Sequence, residues 1–286
     1  MKKVAVVTDS SADISTKQAL DLDVHVVRMP ILIDNVEHIE NETITLEEFT
    51  ETMKQGCIAK TSQPSLGKVT AFWDKLLETY DELIYVPISS KLSGSYNSAV
   101  LAAQDYDGKV TVLDAHFVCA PMQFLLKEIH KLIEMEMSCE DIKNFVENNM
   151  SMHAILIPED LIYLKRGGRI SAAAAALGNM LKIVPMLSVE DGALDMFDKV
   201  RTTKKAYKMA FEFATQVENL NDYYFLVLYG GTESEASKEL YQKLSEIIDP
   251  ENLYYGPITP VILAHTGPGT IGIGYVKKLK PIIENM

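Results

Sequence analysis

Through its first 150 residues the chain alternates short apolar runs with longer stretches whose apolar residues recur every three or four positions. Val4 to Val7, Leu83 to Ile88 and Val110 to Leu113 have the length and continuity of buried strands, and Val24 to Ile33 reads as a further extended piece. Between them, Thr45-Leu46-Glu47-Glu48 is a capping box that opens a helix, carries Phe49 and Met53 inward and stops near Gly56. Val69, Phe72, Trp73, Leu76 and Leu77 share one stripe of a second helix. Tyr96 to Gln104 continues as a third, and a fourth starts at about Pro121, where proline is tolerated in a first turn. Strands that alternate with helices imply a parallel sheet with ligands at the C-terminal ends of its strands.

From about His153 the pattern changes. Ala154 to Ile157 reads as a strand, and Ile183 to Val189 with Ala193 to Val200 flank Asp191-Gly192, a strong hairpin signal. Strands at Tyr223 to Tyr229 and Pro260 to His265, with helices around Lys204 to Val217 and Glu233 to Ile247, complete an α+β half whose sheet is mainly antiparallel. The expectation is two domains, an N-terminal α/β domain over residues 1–150 and a C-terminal α+β domain over 151–286. The alanine run Ala172 to Ala176 reads as a site of close helix packing.

Four turns rich in Ser, Thr and Gly follow apolar runs: Thr8-Asp9-Ser10-Ser11, Thr61-Ser62-Gln63-Pro64-Ser65, Ser89-Ser90-Lys91-Leu92-Ser93-Gly94-Ser95 and His265-Thr266-Gly267-Pro268-Gly269. Hydroxyls and free N–H groups where strands hand over to helices favour an anion. Lys91 and His265 are the cationic or potentially cationic residues in these turns, and no GK[ST] phosphate cradle accompanies them. The ligand they suit is a carboxylate or a small phosphate held mainly by neutral donors. Each residue also has a plainer reading: Ser93 as a helix cap, Thr61 as a turn residue, His265 as a structural histidine.

Other chemistries find less support. A net charge of −13 argues against a nucleic-acid surface. Cys57, Cys119 and Cys139 form no CxxC pair, and Met1-Lys2-Lys3 runs straight into a strand-like segment without a signal-peptide apolar stretch, so a cytoplasmic location is expected. The apolar region from Ala172 to Leu187 is broken by Asn179, Lys182 and Pro185 and is too short to span a bilayer. The six histidines form no HxxxH pair, and no metal is expected. Ser10 and Ser11 lie in no GxSxG elbow. Gly267 to Gly272 satisfies GxGxxG but is followed by too few residues for a βαβ unit. Lys165, Arg166 and Arg169, with Arg201, Lys204 and Lys205, concentrate positive charge whose default reading is solvated surface.

The turns, in order with Ala12-Asp13, Tyr96 and the stretch Tyr163-Leu164-Lys165-Arg166-Gly167-Gly168-Arg169-Ile170-Ser171, give the chain a pattern that resembles the DegV family over nearly its whole length. Studied members of that family are fatty-acid-binding proteins, including the FakB subunit of bacterial fatty acid kinase. The resemblance implies a two-domain fold with a lipid between the domains. It implies that Thr61 and Ser93 bind a fatty-acid carboxylate, that Ser62, Gly94 and Ser95 add donors, and that His265 lies near the site. Arg169 and Arg201 would lie near the rim where an ATP-dependent kinase subunit docks. On this reading the chain is a carrier subunit rather than an enzyme, needs no cofactor beyond its long-chain fatty acid, and touches a membrane transiently. One segment departs from the family pattern: Ala115-His116-Phe117-Val118-Cys119-Ala120-Pro121-Met122 replaces a run of small residues and bears on the acyl tunnel. From the residues themselves two rivals stay open, a hydrolase or transferase using the Ser-rich loops and a non-catalytic lipid sensor.

Overall fold

The computed structural model describes residues 2–170 and 183–279, and three sheets organise them. Strands β1 (Val4–Asp9), β2 (His25–Val27), β6 (Glu82–Val86) and β7 (Val110–Val112) form the first, all parallel, in the order β2-β1-β6-β7. Ala5, Val6 and Val7 point alternately to its two faces, yet all three are buried, as a parallel sheet covered on both sides requires. Helices α3 (Leu66–Leu77) and α4 (Ser95–Ala103) cover one face, where Trp73 packs among Ala5, Val7, Leu83 and Tyr85. Helices α5 (Pro121–Glu134) and α6 (Cys139–Asn149) pack with Val6 and Ile84 on the other.

A small antiparallel sheet joins β3 (Pro30–Ile33), β4 (Val36–Ile39) and β5 (Ala59–Thr61). The stretch from Val24 to Ile33, read from sequence as one extended piece, is therefore two strands in different sheets. The chain swerves where the Met29 N–H donates to Ser10 Oγ at 3.0 Å, and Pro30, which has no N–H, opens the second strand. Helix α1 (Thr16–Asp21) precedes β2, and α2 (Leu46–Lys54) starts from the reciprocal Thr45–Glu48 box and buries Phe49 and Met53.

The third sheet has six strands in the order β10-β9-β8-β13-β11-β12, where β8 is Met152–Ile157, β9 Val184–Glu190, β10 Ala193–Val200, β11 Tyr223–Gly230, β12 Leu253–Ile258 and β13 Ile271–Lys277. Every neighbour pair is antiparallel except β11 with β12. Asp191 and Gly192 both have positive φ and close the β9–β10 hairpin. Helices α8 (Thr203–Thr215) and α9 (Glu235–Ser245) cover one face of this sheet, which meets them through Phe225, Val227 and Ile273. Its other face looks toward the first sheet, and one apolar core runs from Val6 and Ile84 through α5 to Leu156, Leu226 and Val276. A parallel sheet followed by a mainly antiparallel one is the α/β architecture implied by the sequence.

The run from Pro260 to His265, expected as a strand, is instead helix α10 (Pro260–Thr266). A continuous apolar run does not distinguish a buried strand from a buried helix by periodicity. Here Pro260 occupies a first-turn position after Thr259, where its fixed φ suits a helix start. The strands on either side of it are β12 and β13. The fourth Ser/Thr/Gly turn thus joins a helix to a strand, the reverse of its expected place. Helix α7 (Ile162–Gly167) completes the regular elements named here. The alanine run Ala172 to Ala176 lies outside the described residues. Among the described residues no helix is long and apolar enough to cross a membrane.

Candidate functional site

Between the first and third sheets lies a cavity with about 980 Å³ of space not filled by atoms, counting its open part. Its walls are mostly apolar and draw on both halves: Ile88 and Val118 follow strands of the first sheet, while Ala154, Leu226 and Leu228 come from the third. Thr61, Ser62, Gln63, Ser93, Arg169 and His265 supply most of its polar lining. Among these polar groups, Thr61 and His265 are hydrogen-bonded to each other. Ser62 and Gln63 are exposed, whereas most of the apolar wall is buried, so the polar end is the end that meets solvent.

Two chain segments meet at Thr61 and His265. Thr61 ends β5, paired with Ile31, and His265 stands in the last turn of α10. Asp13 fixes the start of α10 by accepting from the Thr259 N–H at 3.0 Å and its hydroxyl at 2.7 Å. Gly267, with φ +80°, ends the helix against Tyr163, whose ring any side chain at 267 would overlap. So held, His265 Nε2 lies 2.7 Å from Thr61 Oγ1. The other ring nitrogen, Nδ1, is buried without a hydrogen-bond partner, and a Cβ at Gly167 would run into it.

Burial first, and the nearby Arg169 guanidinium second, push the His265 imidazole down to about 4. It is therefore neutral near pH 7 and has one N–H. Placing that proton on Nδ1 would leave a buried donor unpaired, so the favoured tautomer donates from Nε2 to Thr61 Oγ1. The Thr61 hydroxyl then keeps its own proton for a third group. His265, implied by the resemblance to lie near the site, acts here by orienting a hydroxyl.

Arg169 arrives by a different route. Gly168 takes φ +67° at the end of α7 and turns the chain back. The Arg169 side chain then donates from Nε to the Leu92 carbonyl at 3.4 Å and from Nη1 to the Gly167 carbonyl. It thereby adjoins Ser93. The Ser93 Oγ accepts from the Ser95 N–H at 3.2 Å and pairs with the Ser95 hydroxyl at 2.9 Å, so it meets the first N–H of α4, whose N-cap is Gly94, while lining the cavity.

Of the residues expected at a carboxylate site, Thr61, Ser62, Ser93 and His265 line this one cavity. Gly94 and Ser95 stand behind it: Ser95 supports Ser93, and a Cβ on Gly94 would come within 3.0 Å of the Gln63 side chain. Arg169, expected at a docking rim, is on the cavity wall, while Arg201 is exposed at the end of β10 and is not part of the lining. Gln63 lines the cavity, and Gly167 packs against His265 beside the cationic wall at Arg169, though from sequence none of the three has a ligand-facing role. The Tyr163 to Ser171 motif pointed at the last two, but nothing in one sequence shows that this turn folds back onto His265. The departing segment places Val118, Cys119 and Pro121 on the wall.

The first Ser/Thr turn is structural. Asp9 accepts from the Ser11 hydroxyl, from its N–H at 2.9 Å and from the Ile88 N–H at 3.0 Å, tying the end of β1 to the loop after β6. Among the described residues no group of three or more His, Cys, Asp and Glu side chains is placed to hold a metal.

A family model described as "Uncharacterised protein, DegV family" matches residues 3–278. A DegV domain-containing protein of Clostridium acetobutylicum is 31% identical over 278 residues, covering 95% of this chain and 97% of its own length. Among solved structures, a DegV family protein from Thermus thermophilus, described by its fatty acid binding, superposes with a TM-score of 0.85 at 29% identity, covering 97% of this chain and 100% of that one. DegV of Bacillus subtilis, described as a fatty acid binding protein, does so with a TM-score of 0.84 at 28% identity, with the same coverage.

Proposed function

The chain belongs to the DegV family, and from that premise we propose that it binds one long-chain fatty acid and presents the carboxylate to an ATP-dependent fatty acid kinase subunit, which converts it to an acyl phosphate. The observation that carries the binding half is an apolar cavity whose polar groups gather at its solvent-facing end. A carboxylate without partners is prohibitive to bury. Thr61, Ser62 and Ser93 offer it hydroxyls, with the Thr61 proton freed by His265, and Arg169 adds a positive charge beyond the neutral donors expected from the turns alone. Burying each CH₂ is worth roughly 0.8 kcal/mol, so about fifteen of them contribute on the order of 12 kcal/mol before ordering costs. Such a ligand leaves slowly, which suits a carrier.

Presentation to a kinase is supported by three features: the polar end faces solvent, the chain has no GK[ST] phosphate loop, and Arg201 stands exposed outside the lining. Carrier action of this kind places the protein in the cytoplasm, with transient membrane contact when the lipid is taken up and no cofactor of its own. Reconstitution tests it. Acyl phosphate is expected only when the kinase subunit, ATP, fatty acid and this chain are all present. Arg201→Ala is expected to keep the lipid bound while turnover falls. A chain that holds fatty acid yet supports no phosphorylation is a lipid sensor, and one that cleaves esters without a partner is a hydrolase.

A further inference from the structure

Among the described residues, four glycines stand within strands of the six-stranded sheet: Gly230 in β11, Gly256 in β12, and Gly272 and Gly274 in β13. At three of them neighbouring atoms stand too close for a side chain. A Cβ at Gly230 would come within 2.8 Å of the Gly267 carbonyl oxygen, one at Gly256 within 2.5 Å of the Tyr254 hydroxyl, and one at Gly274 within 2.4 Å of the His153 carbonyl oxygen. Gly272 is different. The nearest neighbours of a Cβ there would be Leu228 Cβ at 3.5 Å, Leu156 Cδ1 at 3.7 Å and Leu228 Cδ1 at 4.0 Å, all ordinary van der Waals contacts, and its φ lies outside the left-handed region.

A glycine inside a strand costs conformational entropy and packs nothing, and it ordinarily marks a bulge, the close approach of another backbone, or a ligand. At Gly272 the first two are absent. It pairs in unbroken register with Leu156 of β8 on one side and Leu228 of β11 on the other, and the atoms nearest a Cβ belong to leucine side chains rather than to backbone. Leu156, Gly272 and Leu228 thus form one cross-strand row, and all three line the cavity. Ala154 and Leu226, two residues away on the same strands and the same face, line it as well. The row is a furrow, with bare backbone on the inner strand β13 between two leucines. Among the described residues Gly272 is the one glycine of the cavity wall.

We propose that Gly272 sets the bore of the cavity for the acyl chain of a bound long-chain fatty acid, which runs through the furrow against the backbone of β13. The space that a side chain would take is then the space that the ligand's methylenes take. Gly272 is in that sense a specificity-determining residue of the carrier, because a chain must pass the row of Leu156, Gly272 and Leu228 to extend beyond it. Thr61, Ser93 and His265 meet the carboxylate whatever the length of its tail; the furrow meets the tail. A position where alanine would fit and steady the strand is left bare, so stability is given up for room to bind. That an acyl chain occupies the furrow rests on the function proposed above; that the fold itself leaves this position free for a side chain does not.

The test is Gly272→Ala, compared with the native chain in delipidated protein by thermal melting and by titration with palmitic acid. Its melting temperature is expected to rise by about 1–3 °C, since alanine restricts the unfolded chain and adds contacts to the two leucines. Its affinity for palmitic acid is expected to fall roughly fourfold, the worth of one methylene kept from burial. Gly272→Leu, purified from the same cells as the native chain and extracted for mass spectrometry, is expected to retain shorter acids. Gly274→Ala, at the neighbouring strand glycine, is expected to lose stability instead. A lower melting temperature in Gly272→Ala would show a glycine that the fold requires, and undiminished palmitic acid affinity would show a furrow that the ligand does not use; either result overturns the proposal while leaving the fatty-acid reading in place. A native chain that takes up no palmitic acid or other long-chain acid overturns that reading and the furrow's role together.

Discussion

Thr61 is useful to a carboxylate only if its hydroxyl proton points at the ligand, and the neutral His265 secures that by donating to its oxygen. A hydrogen bond to a charged group is worth about 1.5–3 kcal/mol, so Thr61→Ala and Ser93→Ala together should weaken fatty-acid binding by two or more orders of magnitude. Isothermal titration of the double variant checks this, and undiminished affinity would remove both residues from the head-group site. Glu40 makes a separate prediction. Its carboxyl is buried, one oxygen has no partner, and burial pushes it up to about 8, with Arg28 pulling it down and Asp13 adding to the rise. The folded chain keeps this proton until about pH 8, whereas the unfolded chain releases it near the ordinary carboxylate value of 4.5. Folding therefore binds a proton in between, and stability falls as pH rises from about 4.5 to about 8. Asp13, pushed up to about 6 chiefly by burial, acts in the same direction. Glu40→Gln should raise the melting temperature at pH 8 by several degrees and narrow the gap to pH 5.5, a result read by calorimetry. The hydroxyls were legible in the sequence because Ser and Thr at element ends advertise free donors. Glu40 was not, since one sequence does not show which charged residues end up enclosed, and Arg169 was legible only as a rim residue, not as part of the cavity wall.

Helix α10 shows where pattern reading reached its limit. Pro260 to His265 is apolar throughout, and such a run fits a strand or a buried helix until its first turn is weighed. Its placement depends on Asp13, which lies some 250 residues away in sequence but accepts two hydrogen bonds at its N-terminus. Asp13→Ala should lower stability by about 1–3 kcal/mol, because it strips the acceptor from buried donors and forces a side chain without local hydrogen bonding to hold φ +53°. It should also weaken lipid binding, since α10 carries Val261, Ile262 and His265 to the cavity. Asp13→Asn, which keeps an acceptor and tolerates positive φ, should lose less on both counts. Equal losses in a thermal melt and a lipid titration would show that the aspartate's charge, not its acceptor geometry, anchors the helix. The elements that the sequence did disclose are those with a local signature: the Thr45 box, the Trp73 stripe, Pro121 and Asp191-Gly192.

Over the whole molecule, the cavity exists because two sheets of different kinds face one another across a shared core. The change from alternating strands and helices to hairpin signals near residue 150 announced both sheets, but not the small sheet of β3, β4 and β5 that delivers Thr61 to the site. Nor does local sequence reveal that the turn after α7 packs on His265 at the end of α10, or that this histidine meets Thr61; only packing brings them together. On the function proposed above, this apolar wall would receive a long chain, and its hydroxyls with the Arg169 guanidinium a single acidic head. The direct measurement is denaturing extraction of the purified protein followed by mass spectrometry of what is released. About one long-chain fatty acid per chain is the predicted result. A protein that releases none and also fails to take up added fatty acids would contradict the account.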